Sequence, residues 1–266
     1  MTVRIEKDGA ITTVIHSRPE AKNAMDPASA EALFEAFKDF DADDNASVAV
    51  FFGEGGAFCA GWDLKYASEL EGENPLEALN FPEQSDIDLP RGPMGPSRLD
   101  LRKPVIAAIA GPAVAGGMEL ALWCDLRVME ESAYLGVYCR RWGVPLVDGG
   151  TVRLPRLVGQ GRALEIIMTG RKVPADEAFR IGACERIVPN GQAREGAEEL
   201  AKEIARFPQR CMNADRRSVY LQHGLSVEQA MRREWTNSVG VISEEGISGA
   251  ERFKSGRGRH GEFDDI

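Results

Sequence analysis

Two apolar runs, each followed at once by a glycine-rich segment, constrain the fold of this chain more than any other feature. The runs cover residues 48–52 and 104–109 and contain no charged residue. Continuous apolar strands of this length are typical of sheets that are covered on both faces. The runs therefore predict two buried strands, and small residues follow each strand where the chain turns away from the sheet.

Strand and helix signals alternate through the first half of the chain. Two β-prone runs meet at Asp8-Gly9, which is a hairpin signal. Asp26-Pro27 predicts the start of a helix, whereas residues 69–98 lack periodicity and predict a surface excursion. The second half is mostly helical, which predicts an α/β core followed by a helical C-terminal part. The last helices are expected at about 191–206, 209–222, 226–240 and 243–254.

Composition and missing motifs exclude several classes of function. The formal net charge is −10, from 32 basic and 42 acidic residues, which argues against nucleic acid as the main partner. The start of the chain lacks the pattern of a secretory signal, and no run of about 18 apolar residues predicts a membrane span. Five cysteines without paired spacing favour a reduced, cytoplasmic protein. Three scattered histidines give no support for a bound metal.

Chemistry is indicated by the two glycine-rich segments, Phe58–Leu64 and Ala110–Leu120. Helix N-termini carry unpaired N–H donors, so two such ends brought together would stabilise a developing enolate. Glu119 falls in the first turn of the second predicted helix, where a carboxylate can transfer a proton. The alternative is that the glycines only shape turns and that Glu119 is a solvated side chain that complements the helix dipole. The residues alone leave this choice open.

The sequence resembles the crotonase superfamily, also called the enoyl-CoA hydratase/isomerase family, over nearly its whole length. Seven segments match family motifs in the family's order. They are Arg18–Met25, Phe58–Leu64, Lys103–Gly111, Ala115–Leu120, Trp123–Arg127, Gly149–Leu154 and Gly170–Gly182. The resemblance implies a crotonase-like (ClpP/crotonase) α/β spiral of ββα units in residues 1–195 and a helical oligomerisation region in residues 196–266. It also implies a homotrimer or a hexamer, and no cofactor apart from the coenzyme A carried by the substrate.

The resemblance further implies a role for particular residues. Trp62 and Gly116 would donate their backbone N–H groups to the thioester oxygen, and Glu119 would be the acid/base. Residues near these donors would contact coenzyme A. This set comprises Lys22, Ala24, Ala60, Gly61, Asp63, Leu64 and Gly117.

The chain departs from the family pattern at the second catalytic glutamate of typical hydratases. Cys139 occupies that position, and a thiol with an ordinary pKa of about 8.5 orients water poorly. Asp148 is the nearest candidate replacement, although it is equally suited to cap the helix that follows. Arg140 and Trp142 are candidate pocket residues.

The resulting expectation is an enoyl-CoA hydratase. The alternatives are an enoyl-CoA isomerase, a hydrolase or dehalogenase that uses Asp148, and a non-catalytic acyl-CoA-binding protein.

Overall fold

The chain divides into two structural units, one ending at Ala201 and the other beginning at Lys202. The computed structural model describes residues 2–70, 74, 76–83 and 89–263. The predicted boundary between residues 195 and 196 falls inside a helix that runs from Ala193 to Ala205. Within the described residues, every strand belongs to the first unit.

The first unit alternates strands and helices. Its strands are β1 Val3–Asp8, β2 Ile11–His16, β3 Val48–Gly53, β4 Val105–Ile109, β5 Pro112–Val114, β6 Leu126–Glu130, β7 Tyr134–Gly136, β8 Lys172–Pro174 and β9 Arg186–Val188. Its helices are α1 Pro27–Ala42, α2 Leu64–Ser68, α3 Gly116–Trp123, α4 Gly150–Val158, α5 Gln160–Thr169 and α6 Ala175–Ile181, and α7 Ala193–Ala205 leads into the second unit. The described helices are all too short or too polar to cross a membrane.

The strands form two sheets. The larger has the order β1-β2-β3-β4-β6-β9, in which β1 and β2 are the predicted antiparallel hairpin and the other neighbours are parallel. The smaller has the order β5-β7-β8. In the larger sheet the two apolar runs lie side by side, with Val50 opposite Ile106. Their carboxyl ends therefore deliver both glycine-rich segments to the same edge.

Helix α1 covers one face of the larger sheet. It begins as predicted, because the Ser29 N–H donates to Asp26 Oδ1 at 2.7 Å and a proline follows the cap. Phe37 of this helix packs edge-on against Phe51 of β3, with ring centroids 5.4 Å apart. Phe51 in turn packs against Phe58 at 5.0 Å. This aromatic chain anchors the start of the first glycine-rich segment in the core.

Among its described residues, the second unit contains three complete α-helices, α8 Gln209–Leu221, α9 Val227–Val241 and α10 Ile247–Lys254. A capping box between Ser226 and Gln229 begins α9. Asn237 donates to Ala214 O at 2.7 Å and to Ser218 Oγ at 2.8 Å, which ties α9 to α8. The predicted helices are confirmed, except that the last begins as a π-helical turn, Ile242–Gly246.

His16 is fully buried at the end of β2, and neither ring nitrogen has a hydrogen-bond partner among the described residues. Burial lowers the pKa of His16 from 6.5 to about 4, and the nearby charge of Arg18 lowers it further. The unfolded chain therefore binds a proton that the folded chain excludes between these pH values.

We expect stability to fall as the pH drops below about 6.5, because folding must keep His16 neutral. Between pH 7 and pH 4.5, the free energy of unfolding of His16→Leu should therefore fall by about 2 kcal/mol less than that of wild type. Urea unfolding at pH 7 and pH 4.5 measures the difference. His223→Leu, at an exposed histidine, is the matched control and should behave as wild type. Equal acid sensitivity of both variants would contradict the assignment.

Candidate active site

A cavity of about 350 Å³ lies where the segment after β3 meets the start of α3. Its lining includes Ala60 and Trp62 from the first glycine-rich segment. Gly116 and Glu119 line it from the second. The sequence signals that were predicted to carry chemistry thus meet in one concave site.

Backbone pairing fixes the direction of the Trp62 N–H group. On one side, the Met25 N–H donates to Gly61 O at 2.7 Å and the Asp63 N–H donates to Met25 O at 2.9 Å. Trp62 lies between these two bonds as the bridge partner of Met25. In such a bridge, the middle residue turns its own N–H away from its partner. The Trp62 N–H therefore points away from Met25.

Gly116 is the first residue of α3, so its N–H has no intrahelical acceptor. The preceding residue, Ala115, has a φ of +54°. An alanine reaches this conformation only at a cost in free energy. The two segments are in contact, since a Cβ built on Gly61 would lie 3.2 Å from Gly116 N and 2.8 Å from Ala115 Cβ. This contact brings the backbone around Trp62 and Gly116 to one wall of the cavity.

Gly117 has a packing role. A Cβ at this position would lie 2.1 Å from the carbonyl oxygen of Cys59, so only glycine lets α3 approach the first segment this closely. The residue was predicted to contact coenzyme A, but it is not among those that line the cavity.

Glu119 is 2% exposed and lines the cavity. The alternative of a solvated side chain is therefore wrong. Its Oε1 accepts hydrogen bonds from the N–H groups of Asp148 at 2.9 Å and Gly150 at 2.8 Å. Burial raises the pKa of Glu119 to about 7, and the charge of Asp148 also raises it, while the N–H donors oppose the shift. A carboxyl group with this pKa can give or take a proton near neutral pH.

Asp148 is also buried, at 4% exposure, and lines the same cavity. It does not cap α4, since Gly149 is the N-cap residue and no side chain caps that helix. Its Oδ1 instead accepts from the Met94 N–H at 3.0 Å and from the Ser97 hydroxyl. Burial raises the pKa of the Asp148 carboxyl, and these two hydrogen bonds partly offset the effect.

Arg153 of α4 fixes the loop that carries Asp148. It donates to Asp148 O and to Ser97 O, both at 2.8 Å. The segment around Ser97 and the segment around Asp148 are thus joined by side-chain and backbone hydrogen bonds.

Cys139, at the position of the second glutamate, is 8% exposed and lines the cavity. Burial raises the pKa of its thiol, and the charge of Glu119 raises it further. Cys139 therefore remains protonated near neutral pH and does not supply a general base.

A model of the enoyl-CoA hydratase/isomerase family matches residues 6–256. The chain belongs to the enoyl-CoA hydratase/isomerase family. It is 36% identical over 208 residues to the enoyl-CoA hydratase EchA19 of Mycobacterium tuberculosis. This alignment covers 76% of this chain and 73% of that protein. It is 35% identical over 234 residues to a carnitinyl-CoA dehydratase of Salmonella arizonae, covering 87% of this chain and 85% of that protein.

The enoyl-CoA hydratase/isomerase family also accounts for the fold. A crystal structure of an enoyl-CoA hydratase from Mycobacterium tuberculosis aligns with a TM-score of 0.86 at 32% identity, covering 96% of each chain. The predicted crotonase-like α/β fold is confirmed, and the chain is an acyl-CoA enzyme of the hydratase/isomerase type. Within the described residues, no group of three or more His, Cys, Asp or Glu side chains is placed to hold a metal ion.

The coenzyme A contacts expected from the family divide into two groups. Lys22, Ala60 and Leu64 line the cavity. Ala24 is buried and accepts a hydrogen bond from Arg18 through its carbonyl oxygen at 2.5 Å. Asp63 caps α2 and pairs with Arg18 at 3.0 Å. Lys22, Ala60 and Leu64 therefore face the cavity, whereas Ala24 and Asp63 hold its wall in place through Arg18.

The two remaining pocket candidates also separate. Trp142 lines the cavity. Arg140 is not among the lining residues, and its Nε donates to Ile167 O at 3.3 Å.

Sequence reasoning missed the residues that cover the cavity from the 92–98 segment. This segment falls within the predicted surface excursion, but Met94 and Ser97 are buried, so the prediction is wrong there. Parts of the excursion, at 71–73, 75 and 84–88, lie outside the described residues. A Cβ built on Gly116 would lie 2.5 Å from Met94 Sδ, which shows that Met94 packs directly over the start of α3. No periodic pattern marks such a loop residue.

Proposed function

We propose that this chain is an enoyl-CoA hydratase that adds water to a 2-enoyl-CoA thioester. The observation that carries the proposal is a buried glutamate with a pKa of about 7 in a cavity that Trp62 and Gly116 also line. Membership of the enoyl-CoA hydratase/isomerase family supports the choice of substrate, because this family acts on acyl-CoA thioesters. No cofactor is needed beyond the coenzyme A of the substrate.

In the proposed reaction, the thioester oxygen accepts hydrogen bonds from the N–H groups of Trp62 and Gly116. Glu119 as carboxylate removes a proton from water while the water oxygen bonds to C3. The electron pair of the double bond moves toward the thioester, and the N–H donors stabilise the resulting enolate. A proton then returns to C2, which completes the addition of water. Asp148, the second buried carboxyl group, is proposed to orient the water.

Enoyl-CoA isomerase is the second candidate, and Cys139 is the observation that favours it. Moving a double bond from C3 to C2 requires one group to carry a proton between two carbons. Glu119 alone can do this. A neutral thiol in place of the second glutamate does not hinder such a shuttle.

Product analysis with crotonyl-CoA and with a 3-enoyl-CoA tests the proposal. A hydratase converts crotonyl-CoA to 3-hydroxybutyryl-CoA. An isomerase converts the 3-enoyl-CoA to its 2-enoyl form and leaves crotonyl-CoA unchanged. Binding of butyryl-CoA without either conversion would refute both candidates and identify a non-catalytic binding protein.

We also propose that the protein is a cytoplasmic homotrimer, or a hexamer made of two trimers. Val227, Met231 and Trp235 support an assembly, because they lie four residues apart on α9 and are exposed. Light scattering after size exclusion gives the mass, and a monomer at micromolar concentration would refute the assembly.

A further inference from the structure

Arg141 is a cation in the wall of the active-site cavity. It belongs to the short 3₁₀ helix Tyr138–Trp142 and lines the cavity together with Glu119. Its guanidinium carbon lies 4.8 Å from the centroid of the Tyr138 ring and 5.8 Å from that of Trp142. Its Nε donates to Tyr138 O at 3.3 Å. Two aromatic rings and a carbonyl group thus orient the guanidinium plane.

Within the described ranges, no carboxylate lies within 4.0 Å of the Arg141 guanidinium. Arg171, by contrast, pairs with both Glu165 and Glu177. The two acids of the cavity are not partners of Arg141 either, and their described hydrogen bonds come from other groups, at Oε1 of Glu119 and at Oδ1 of Asp148. In a chain with 42 acidic and 32 basic residues, an arginine that lines a cavity and has no carboxylate partner among the described residues is suited to an anionic group of the ligand.

The ligand can offer such a group from two sources, a carboxylate on the acyl chain or a phosphate of coenzyme A. Position favours the acyl chain. Arg141 lies on the same 3₁₀ helix as Cys139, and both residues line the cavity together with Glu119. Lys22, the other lysine or arginine of the cavity wall, lies instead on the segment that pairs with Ala60 through its carbonyl oxygen. Arg141 therefore belongs to the part of the cavity wall that also contains Cys139, and we assign it to the Glu119 end of the cavity.

We propose that Arg141 binds a carboxylate carried by the acyl group, so that the preferred substrate is the coenzyme A monothioester of an unsaturated dicarboxylic acid. This inference rests on the proposed function for the site itself. A planar guanidinium can hold a carboxylate through two parallel N–H bonds, and its aromatic neighbours limit the entropy lost on binding.

Equilibrium binding of two saturated thioesters tests the inference without requiring turnover. Glutaryl-CoA carries the terminal carboxylate and butyryl-CoA lacks it. Calorimetry should show wild type binding glutaryl-CoA about tenfold more tightly, which is modest because the Arg141 side chain is exposed to solvent. Arg141→Met should abolish the preference. Arg140→Met, at the neighbouring arginine outside the cavity, is the matched control and should retain it.

The N-acetylcysteamine thioesters of the same acids separate the two anion sources, because they lack the phosphates. The acyl-carboxylate proposal requires that Arg141→Met still weakens the glutaric thioester selectively. Equal weakening of both coenzyme A thioesters, with no effect on the short thioesters, would assign Arg141 to a phosphate and overturn the inference. Absence of any preference in wild type would overturn it as well.

The inference and the proposed function fail in distinguishable ways. If the protein hydrates crotonyl-CoA but binds glutaryl-CoA no more tightly than butyryl-CoA, only the role of Arg141 is refuted. If it clearly binds glutaryl-CoA more tightly but hydrates neither crotonyl-CoA nor glutaconyl-CoA, the hydratase proposal is refuted.

Discussion

Glu119→Gln is expected to lower kcat for a 2-enoyl-CoA by about 10³-fold, within the range typical of a lost general acid/base. Glutamine keeps the acceptor oxygen that takes the N–H groups of Asp148 and Gly150, so the loop should remain in place. It cannot take a proton from water. Steady-state kinetics and the Kd of butyryl-CoA together measure the effect, and the Kd should stay within about twofold because the change acts mainly on the transition state.

The pH dependence gives this prediction a second readout. The base is the carboxylate, so kcat/KM of wild type should fall as the pH drops through about 7, the pKa of Glu119. The same raised pKa means that the folded state holds the proton more tightly than the unfolded state. Stability from this group is present at low pH and is lost as the pH rises through 7. Glu119→Gln should therefore gain stability relative to wild type at pH 8.

Glu130→Gln is the matched control. Glu130 is also buried, but it ends β6 and does not line the cavity. This variant should keep the wild-type rate and pH profile. An active Glu119→Gln enzyme with an unchanged profile would contradict the role assigned to Glu119.

Gly117→Ala is expected to destabilise the protein by about 3 kcal/mol and to abolish turnover, which is at the upper end of overpacking effects. The added methyl group would meet Cys59 O at 2.1 Å and Cys59 Cβ at 2.8 Å. A backbone carbonyl cannot rotate aside as a flexible side chain does. Helix α3 must move away from the first glycine-rich segment, and the N–H groups of Trp62 and Gly116 then separate. Urea unfolding and kcat/KM measure the two consequences.

Gly161→Ala is the corresponding control in helix α5. Outside its chain neighbours and its own helix, no atom of the described residues lies within 4 Å of a Cβ built at Gly161, so the substitution only improves helix propensity. We expect a gain of about 0.5–1 kcal/mol with unchanged activity. If Gly117→Ala were as stable as this control, close packing between α3 and Cys59 would not be what the site requires.

The parts of the fold that follow from local signals could be predicted. The apolar runs became β3 and β4, and Asp26-Pro27 began a helix, because each signal is contained in a few neighbouring residues. Strands β5, β7, β8 and β9 escaped prediction. Each has only three residues, and their identity as strands depends on partners distant in the sequence.

The site was predictable to a similar degree. Glu119 and the two glycine-rich segments were named from their place after predicted strands, with the family resemblance in support. The role of Asp148 as acceptor for Met94 and Ser97 was not predictable, since helix capping by the same residue is equally compatible with its neighbours in the sequence. Its actual partners, Met94 and Ser97, lie about 50 residues earlier in the chain. They belong to a segment without periodicity, so only the tertiary structure brings them to Asp148.

Asp148 joins the 92–98 segment to Glu119 through its side chain and its backbone. Its carboxylate holds Met94 and Ser97, while its backbone N–H holds Glu119. An acyl group that displaces Met94 would therefore also disturb Asp148. The charge and the backbone N–H of Asp148 both affect the pKa of Glu119. Redesign of residues 92–98 to accept a different chain would shift the pH optimum along with the specificity, and the two properties would have to be optimised together.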